Sequence, residues 1–255
     1  MYTLYCCFFF LFIYYLIKKI KAIINRMINS YEKTDIYMPN KLIKLYRHIK
    51  CNIHHRDMEK VFTRKYQQNK WGKDISNKYK GNSGPGSTIL FNIEYIEFLK
   101  NFIINNNIKN IVDLGCGDFR IGEKIYNDIN VNYTGYDIYK DLINSHMEQY
   151  SNNNKYNFIY LDFYNNPDKI INSDLIIIKE VLQHWPNYKI NQFLDYIKKN
   201  KKFKYLLLVN CKSNTESIDI GTGGCRGLSY KHIPLLKYNG KNIFNYNSQE
   251  VVLIK

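Results

Sequence analysis

Asp113, Gly115 and Gly117 close an apolar run, Asn110-Ile-Val-Asp-Leu-Gly-Cys-Gly-Asp-Phe119, and a helical pattern of Ile121, Ile125 and Tyr126 begins just beyond it. The stretch reads as strand, tight turn, helix. Such a turn is where an α/β sheet binds ligands. Glycines let the backbone approach closely, and an acid at the strand end accepts hydrogen bonds from a cationic or hydroxyl-bearing group. A dinucleotide turn needs a third glycine three residues after the second. Arg120 holds that position here and Gly122 lies further on, so a pyrophosphate site is poorly supported.

Two further carboxylates repeat the arrangement. Asp137 ends the run that starts at Asn132, at about the 20-residue offset where a carboxylate holds ribose hydroxyls. Asp162 follows the run Tyr156 to Leu161 and is placed to accept from an adenine amino group, with Phe163 beside it for stacking. Either acid could instead form a turn with its own backbone. Beyond a third apolar run, Glu180 and His184 stand four apart and would share a helical face. A neutral histidine can remove a hydroxyl proton near neutral pH, which makes His184, with Glu180, the candidate catalytic pair. The alternative is a structural histidine that holds the loop over the ligand.

The elements that must position these residues alternate. A helix is expected over Asp57 to Asn69, with Met58, Val61, Phe62 and Tyr66 on one face. The glycine-rich Gly81 to Thr88 follows, where Ser87 or Thr88 would cap a helix from Ile89 to Asn101 and border an anionic part of the ligand. Helix Phe119–Asp128, strand Asn132–Tyr136, helix Lys140–Tyr150 and strand Tyr156–Leu161 come next. Strand Asp174–Ile178 is almost wholly Leu and Ile, as for a strand covered on both faces. Helix Tyr188–Lys199, strand Tyr205–Asn210 and a last strand Glu250–Ile254 complete an α/β order with a parallel sheet.

The 255 residues divide by composition into a segment 1–26, a basic linker 27–56 and a domain 57–255. Tyr2 to Ile17 are apolar apart from Thr3, and Lys18, Lys19, Lys21 and Arg26 follow on one side only. This predicts a single N-terminal membrane anchor with the catalytic domain on the cytoplasmic side. The net charge of +15 points to an acidic partner. The chain is saturated with Lys, Asn, Ile and Tyr, residues of A/T-rich codons, so nucleic acid is a possible partner but not the favoured one. Six cysteines lack any CxxC spacing and read as reduced thiols. Cys51 with His54 and His55 has no second ligand cluster nearby, so no metal site is expected.

The motifs taken together resemble class I S-adenosylmethionine (SAM) methyltransferases over most of the chain from about Val61. Within that superfamily the match is to a largely uncharacterised group. Its features are Phe62-Thr63, Tyr66, Asn69-x-Trp71-Gly72, Ser83-Gly-Pro-Gly-Ser-Thr88 and Cys116-Gly-Asp-Phe119. Gly135-Tyr-Asp137, Val181-Leu-Gln-His184 and Asp219-Ile-x-Thr-Gly-x-x-Arg226 extend it. Cys225 and Gly227 depart from the group's pattern of Trp before that arginine and Pro after it. The resemblance implies a Rossmann-like, seven-stranded, mostly parallel sheet. It implies cofactor contacts at Gly115, Gly117, Asp137 and Asp162, with Asp113, Trp71 and Ser87 on the same side, and an acceptor side that includes Asp219 and Arg226. The function expected is methyl transfer from SAM to an oxygen or nitrogen of a small-molecule, glycan or lipid-linked acceptor. Alternatives are a non-catalytic tethered scaffold, an RNA ribose or cap methyltransferase, and an NAD-dependent enzyme. Base-flipping amino and pyrimidine-carbon chemistries lack their residues after the fourth strand.

Overall fold

The computed structural model describes residues 57–73, 81–212 and 218–255. Among them, seven strands form one sheet: β1 (Asn110–Leu114), β2 (Asn132–Asp137), β3 (Tyr156–Tyr160), β4 (Ser173–Lys179), β5 (Phe203–Cys211), β6 (Lys241–Tyr246) and β7 (Gln249–Ile254). The helices are α1 (Met58–Gln67), α2 (Ile93–Asn105), α3 (Arg120–Tyr126), α4 (Lys140–Gln149) and α5 (Asn187–Lys199). The spatial order is β3-β2-β1-β4-β5-β7-β6, with β1 to β5 parallel and β7 antiparallel between β5 and β6. The chain runs outward from β1 to β2 and β3, then returns to lay β4 on the other side of β1. A crevice therefore opens over the C-terminal ends of β1 and β4.

Alternation along the central strands fills a core on each face. Ile176, Ile178, Leu206, Leu208 and Val252 pack on one side with Phe193 and Trp185. Leu175, Ile177, Leu207, Val209 and Val251 pack on the other with Tyr95 and Leu99. This is why β4 reads as unbroken aliphatic sequence. The strand β6 is not legible in the sequence. Its run Lys-Asn-Ile-Phe-Asn-Tyr mixes polar and apolar residues, and its pairing with β7 carries a register shift between Asn242 and Phe244.

Helix α2 starts at Ile93 rather than Ile89. Pro85–Ser87 and Leu90–Asn92 form 3₁₀ turns before it, and neither Ser87 nor Thr88 caps it. The Asn92 amide, fully buried, instead donates to the carbonyls of Gly86 and Thr88, both at 2.7 Å.

The expectation of a membrane-anchored chain with a transmembrane helix is corrected here. Among the described residues, no helix is long and apolar enough to cross a membrane. The longest described helices, α2 and α5, have 13 residues each. Each extends about 20 Å, against a hydrocarbon core of about 30 Å. Residues 1–26, on which the anchor, the membrane contact and the cytoplasmic orientation were read, lie outside the described residues, as do the linker 27–56 and its Cys51, His54 and His55.

The displaced glycine finds its reason in packing. Phe119 precedes α3 in a left-handed conformation, φ 57°, and lays its buried ring against Gly122, where a methyl group would collide with it. Gly122→Ala is expected to destabilise the domain by roughly 1–3 kcal/mol through overpacking. A denaturant midpoint equal to that of the parent would show that the ring moves aside freely.

Candidate functional site

A cavity of about 500 Å³ lies at the C-terminal ends of β1, β2 and β4, within the size range of small-molecule sites. The residues nominated from the sequence all line it, except Asp219 and Arg226.

The glycine turn forms its floor. Gly115 and Gly117 hold φ 87° and 56°, a region that side chains rarely adopt. The space a Cβ would take is filled by Val181 at Gly115 and by Ser83 at Gly117. These glycines therefore serve protein packing. His146, fully buried in α4, hydrogen-bonds the Gly117 carbonyl through Nε2 at 2.8 Å and fixes the turn from below.

Asp137 is buried at the end of β2. Its two oxygens accept from Gly117 N and Tyr139 N, both at 3.0 Å. Burial raises its pKa, and those two backbone bonds pull it back down. Each oxygen keeps a further acceptor site for a ligand hydroxyl.

Asp113 accepts from the Tyr133 hydroxyl at 2.9 Å. Burial pushes its carboxyl up to about 6, partly offset by that bond and by Lys179. A folded pKa above the ordinary carboxylate value means that the folded chain binds the proton more tightly. The contribution to stability is present at low pH and is lost as pH rises through about 6. Asp113→Asn should therefore melt higher than the parent at pH 7 and match it near pH 4. Equal midpoints at pH 7 would show that Asp113 carries no buried charge.

Asp118 and Arg120, which the sequence did not nominate, help lock the turn to the glycine-rich loop. Asp118 Oδ2 accepts from Ser83 N and Ser87 Oγ, each at 2.9 Å, while Asp118 N donates to Ser83 Oγ at 2.9 Å. Ser87 Oγ also lies 2.8 Å from the Gly84 carbonyl, so its hydroxyl serves the loop. Arg120 pairs with Asp118 at 3.1 Å. Tyr66 stacks on Tyr139 with centroids 4.6 Å apart and meets Ser83 Oγ at 3.1 Å, which brings α1 over the turn. The sequence shows both segments as motifs, with an extra acid beside the second glycine, but not that they bond to each other. A pairing across 35 residues leaves no local signal.

At one end of the cavity, Asp162 accepts from Asn165 N at 3.1 Å and Asn165 Nδ2 at 2.6 Å, so it does form a turn with its neighbour. It lines the cavity while doing so. Phe163 is buried and stacked on Trp185, centroids 5.7 Å apart.

The other end is built from the residues after β4. Glu180 and His184 do not share an α-helical face. Glu180 sits at φ 56° directly after the strand, and His184 ends a 3₁₀ turn, Leu182–His184. The Glu180 carboxylate meets Lys179 Nζ at 2.7 Å and accepts from Gln249 Nε2 at 3.1 Å. Lys179 Nζ also donates to the Gly86 carbonyl at 2.9 Å, and a methyl group at Gly86 would collide with the Glu180 carboxylate.

His184 Nδ1 is 2.6 Å from the Gly224 carbonyl. Only an N–H can make that bond, so Nε2 carries the lone pair of the neutral ring. Burial lowers the His184 pKa, opposed by the Gly224 bond. Trp71 packs against this histidine, centroids 5.8 Å apart, and against Tyr66 at 4.9 Å.

Arg226 and Asp219 stand behind this wall. The guanidinium donates to the carbonyls of Trp185 at 3.0 Å and Ile218 at 3.1 Å, and pairs with Asp219 at 3.4 Å. Asp219 also accepts from Asn187 N at 2.8 Å. The two residues clamp segment 218–226 to the start of α5, and that segment supplies the carbonyl that orients His184.

No family model matches the sequence, and no curated protein matches it. Solved structures do. The magnesium protoporphyrin IX methyltransferase of Synechocystis PCC 6803, solved with bound SAM, aligns at TM-score 0.53 and 11% identity, covering 79% of this chain and 99% of that one. The methyltransferase domain of a bacterial Hen1 aligns at TM-score 0.52 and 12% identity, covering 65% of this chain and 99% of that one. The N-methyltransferase NodS of Bradyrhizobium japonicum WM9, with S-adenosyl-l-homocysteine, gives TM-score 0.52 and 14% identity over 70% of this chain and 97% of that one. The fold is that of class I methyltransferases. Its sheet, with the antiparallel β7 inserted between β5 and β6, accounts for the one strand direction that a plain doubly wound sheet would not predict.

Proposed function

We propose that the chain is a SAM-dependent methyltransferase acting on an oxygen or nitrogen of a small-molecule, glycan or lipid-linked acceptor. The observation that carries this reading is convergence. Carboxylates from the ends of three neighbouring strands, the glycine turn, and a histidine with a defined tautomer all line one cavity at the switch point of a methyltransferase fold. The bonding of the Ser83–Thr88 loop to the Cys116–Phe119 turn supports the narrower resemblance to the group that carries both motifs.

The cavity's chemistry fits SAM. Asp137 would hold the ribose hydroxyls with its remaining acceptor sites, and Asp113 would accept from the amino group. Asp162, beside Phe163 and Ile138, would border the adenine, with Trp71 among the residues lining the same cavity. When bound, SAM supplies a methyl group on a sulfonium; the acceptor's electron pair forms the new bond to carbon, and the carbon–sulfur pair stays on sulfur. The chain's own part is to position the acceptor and move its proton. His184 Nε2 would take it, and the nearby Glu180 carboxylate would stabilise the imidazolium. Arg226 and Asp219 would act on the acceptor side by holding the loop whose Gly224 carbonyl fixes that imidazole.

Binding of an ammonium-bearing ligand should favour ionised Asp113. Affinity for SAM is then expected to fall by up to about tenfold per pH unit below about 6, and Asp113→Asn should flatten that dependence. Methyl-labelled SAM incubated with the full chain and fractionated extracts, followed by mass spectrometry, tests the transfer itself. Label should enter a chemically stable O- or N-methyl product. Label that stays in SAM across all fractions would count against an enzyme.

A further inference from the structure

Lys65, on α1, has no task in the reading above, although it lines the cavity. It is half-buried, with Nζ 5.3 Å from the centroid of Trp71, and its stem lies over Gly223. The charged and titratable groups around it are the Cys225 thiol, Lys70 and His184. None of these is a carboxylic acid, and among the described residues no carboxylate forms an ion pair with Lys65. Burial lowers its pKa accordingly. A partly desolvated ammonium compensated by a ring face and a neighbouring thiol, with no carboxylate paired to it among the described residues, is a group that a bound anion would stabilise.

The surfaces beside it are planar. Phe62 and Trp71 stack with centroids 6.1 Å apart and 25° between planes, and the imidazole of His184 is tilted against Trp71. Flat apolar faces leave a polyol's hydroxyls unmatched, whereas an aromatic ring covers them.

We propose that Lys65 is the anion-binding group of the acceptor subsite, and that the acceptor is a phenol whose oxygen meets the ammonium as His184 takes its proton. This rests on the methyltransferase reading and narrows its acceptor from small molecules, glycans and lipid-linked groups to aromatic hydroxyls. The ammonium then does two things. It favours the phenolate, and it holds the oxygen beside the base.

The test uses the full chain saturated with S-adenosylhomocysteine, which carries no methyl group to transfer, and 4-nitrophenol, whose yellow anion reports its own ionisation. The bound phenol should ionise about one pH unit lower than in water, the scale expected for a charge at contact distance. Lys65→Arg should keep the shift and Lys65→Met should abolish it, with affinity for S-adenosylhomocysteine unchanged in both. A bound phenol whose ionisation is not lowered, a shift that survives in Lys65→Met, or a protein that binds S-adenosylhomocysteine but no phenol would each overturn the proposal alone. Failure to bind S-adenosylhomocysteine would overturn the cofactor reading beneath it as well.

Discussion

Replacing His184 by alanine is expected to lower kcat by about 10² to 10⁴, the usual value of a positioned general base, while leaving SAM affinity nearly unchanged. The geometry allows a sharper comparison. Nδ1 is spent on the Gly224 carbonyl, so the imidazole has a structural half and a chemical half. Asparagine in its place offers an N–H to the same carbonyl but no base. His184→Asn should therefore be as slow as His184→Ala. Recovery of the rate in His184→Asn would mean that the residue only holds the loop. The wild-type rate should fall with decreasing pH as Nε2 is protonated. Because burial lowers the pKa of this imidazole, the fall should come below the ordinary histidine value of about 6.5. A rate that is flat through that range, with acceptor and SAM saturating, would remove His184 from proton transfer.

Asp137→Asn is expected to weaken SAM binding by about 10- to 150-fold, or roughly 1.5–3 kcal/mol for hydrogen bonds to a charged group. Asparagine is chosen because Asp137 also holds the turn. Its oxygens accept from Gly117 N and Tyr139 N, and alanine would leave two buried N–H groups unpaired. The amide keeps one acceptor and has nearly the same shape. A thermal midpoint close to the parent's, together with lost affinity, would place the effect in the ligand. Parent-like affinity would exclude Asp137 from the cofactor site.

The sheet was legible in the sequence because periodicity and burial agree. The run Leu175 to Ile178 is covered on both faces and reads so, and the Asp-x-Gly-x-Gly turn falls where an apolar run must stop. Positions at strand ends were legible for the same reason, which is how Asp113, Asp137 and Asp162 could be placed there from the sequence. What the sequence hid was contact between distant segments. Asp118 and Ser83 bond across 35 residues, and Tyr133 reaches Asp113 from the next strand. Glu180 and His184 look like helical neighbours by spacing. The left-handed backbone at Glu180, needed to bring its carboxylate under Gly86, breaks that pattern. Arg226 reads by residue type as a donor fork for an acceptor, yet the carbonyls of Trp185 and Ile218 each take one of its N–H groups. An apolar segment such as residues 2–17 carries a composition signal only, and no described helix has the length to cross a membrane.

Equilibrium titration of the full chain with SAM and with S-adenosylhomocysteine, followed calorimetrically, tests the central claim most directly. A single saturable site is expected, with NADH unable to compete and with Asp137→Asn titrating at least tenfold weaker. No heat of binding and no retention of labelled SAM at millimolar cofactor would contradict the account. The cavity between β1 and β4 would then belong to some other ligand.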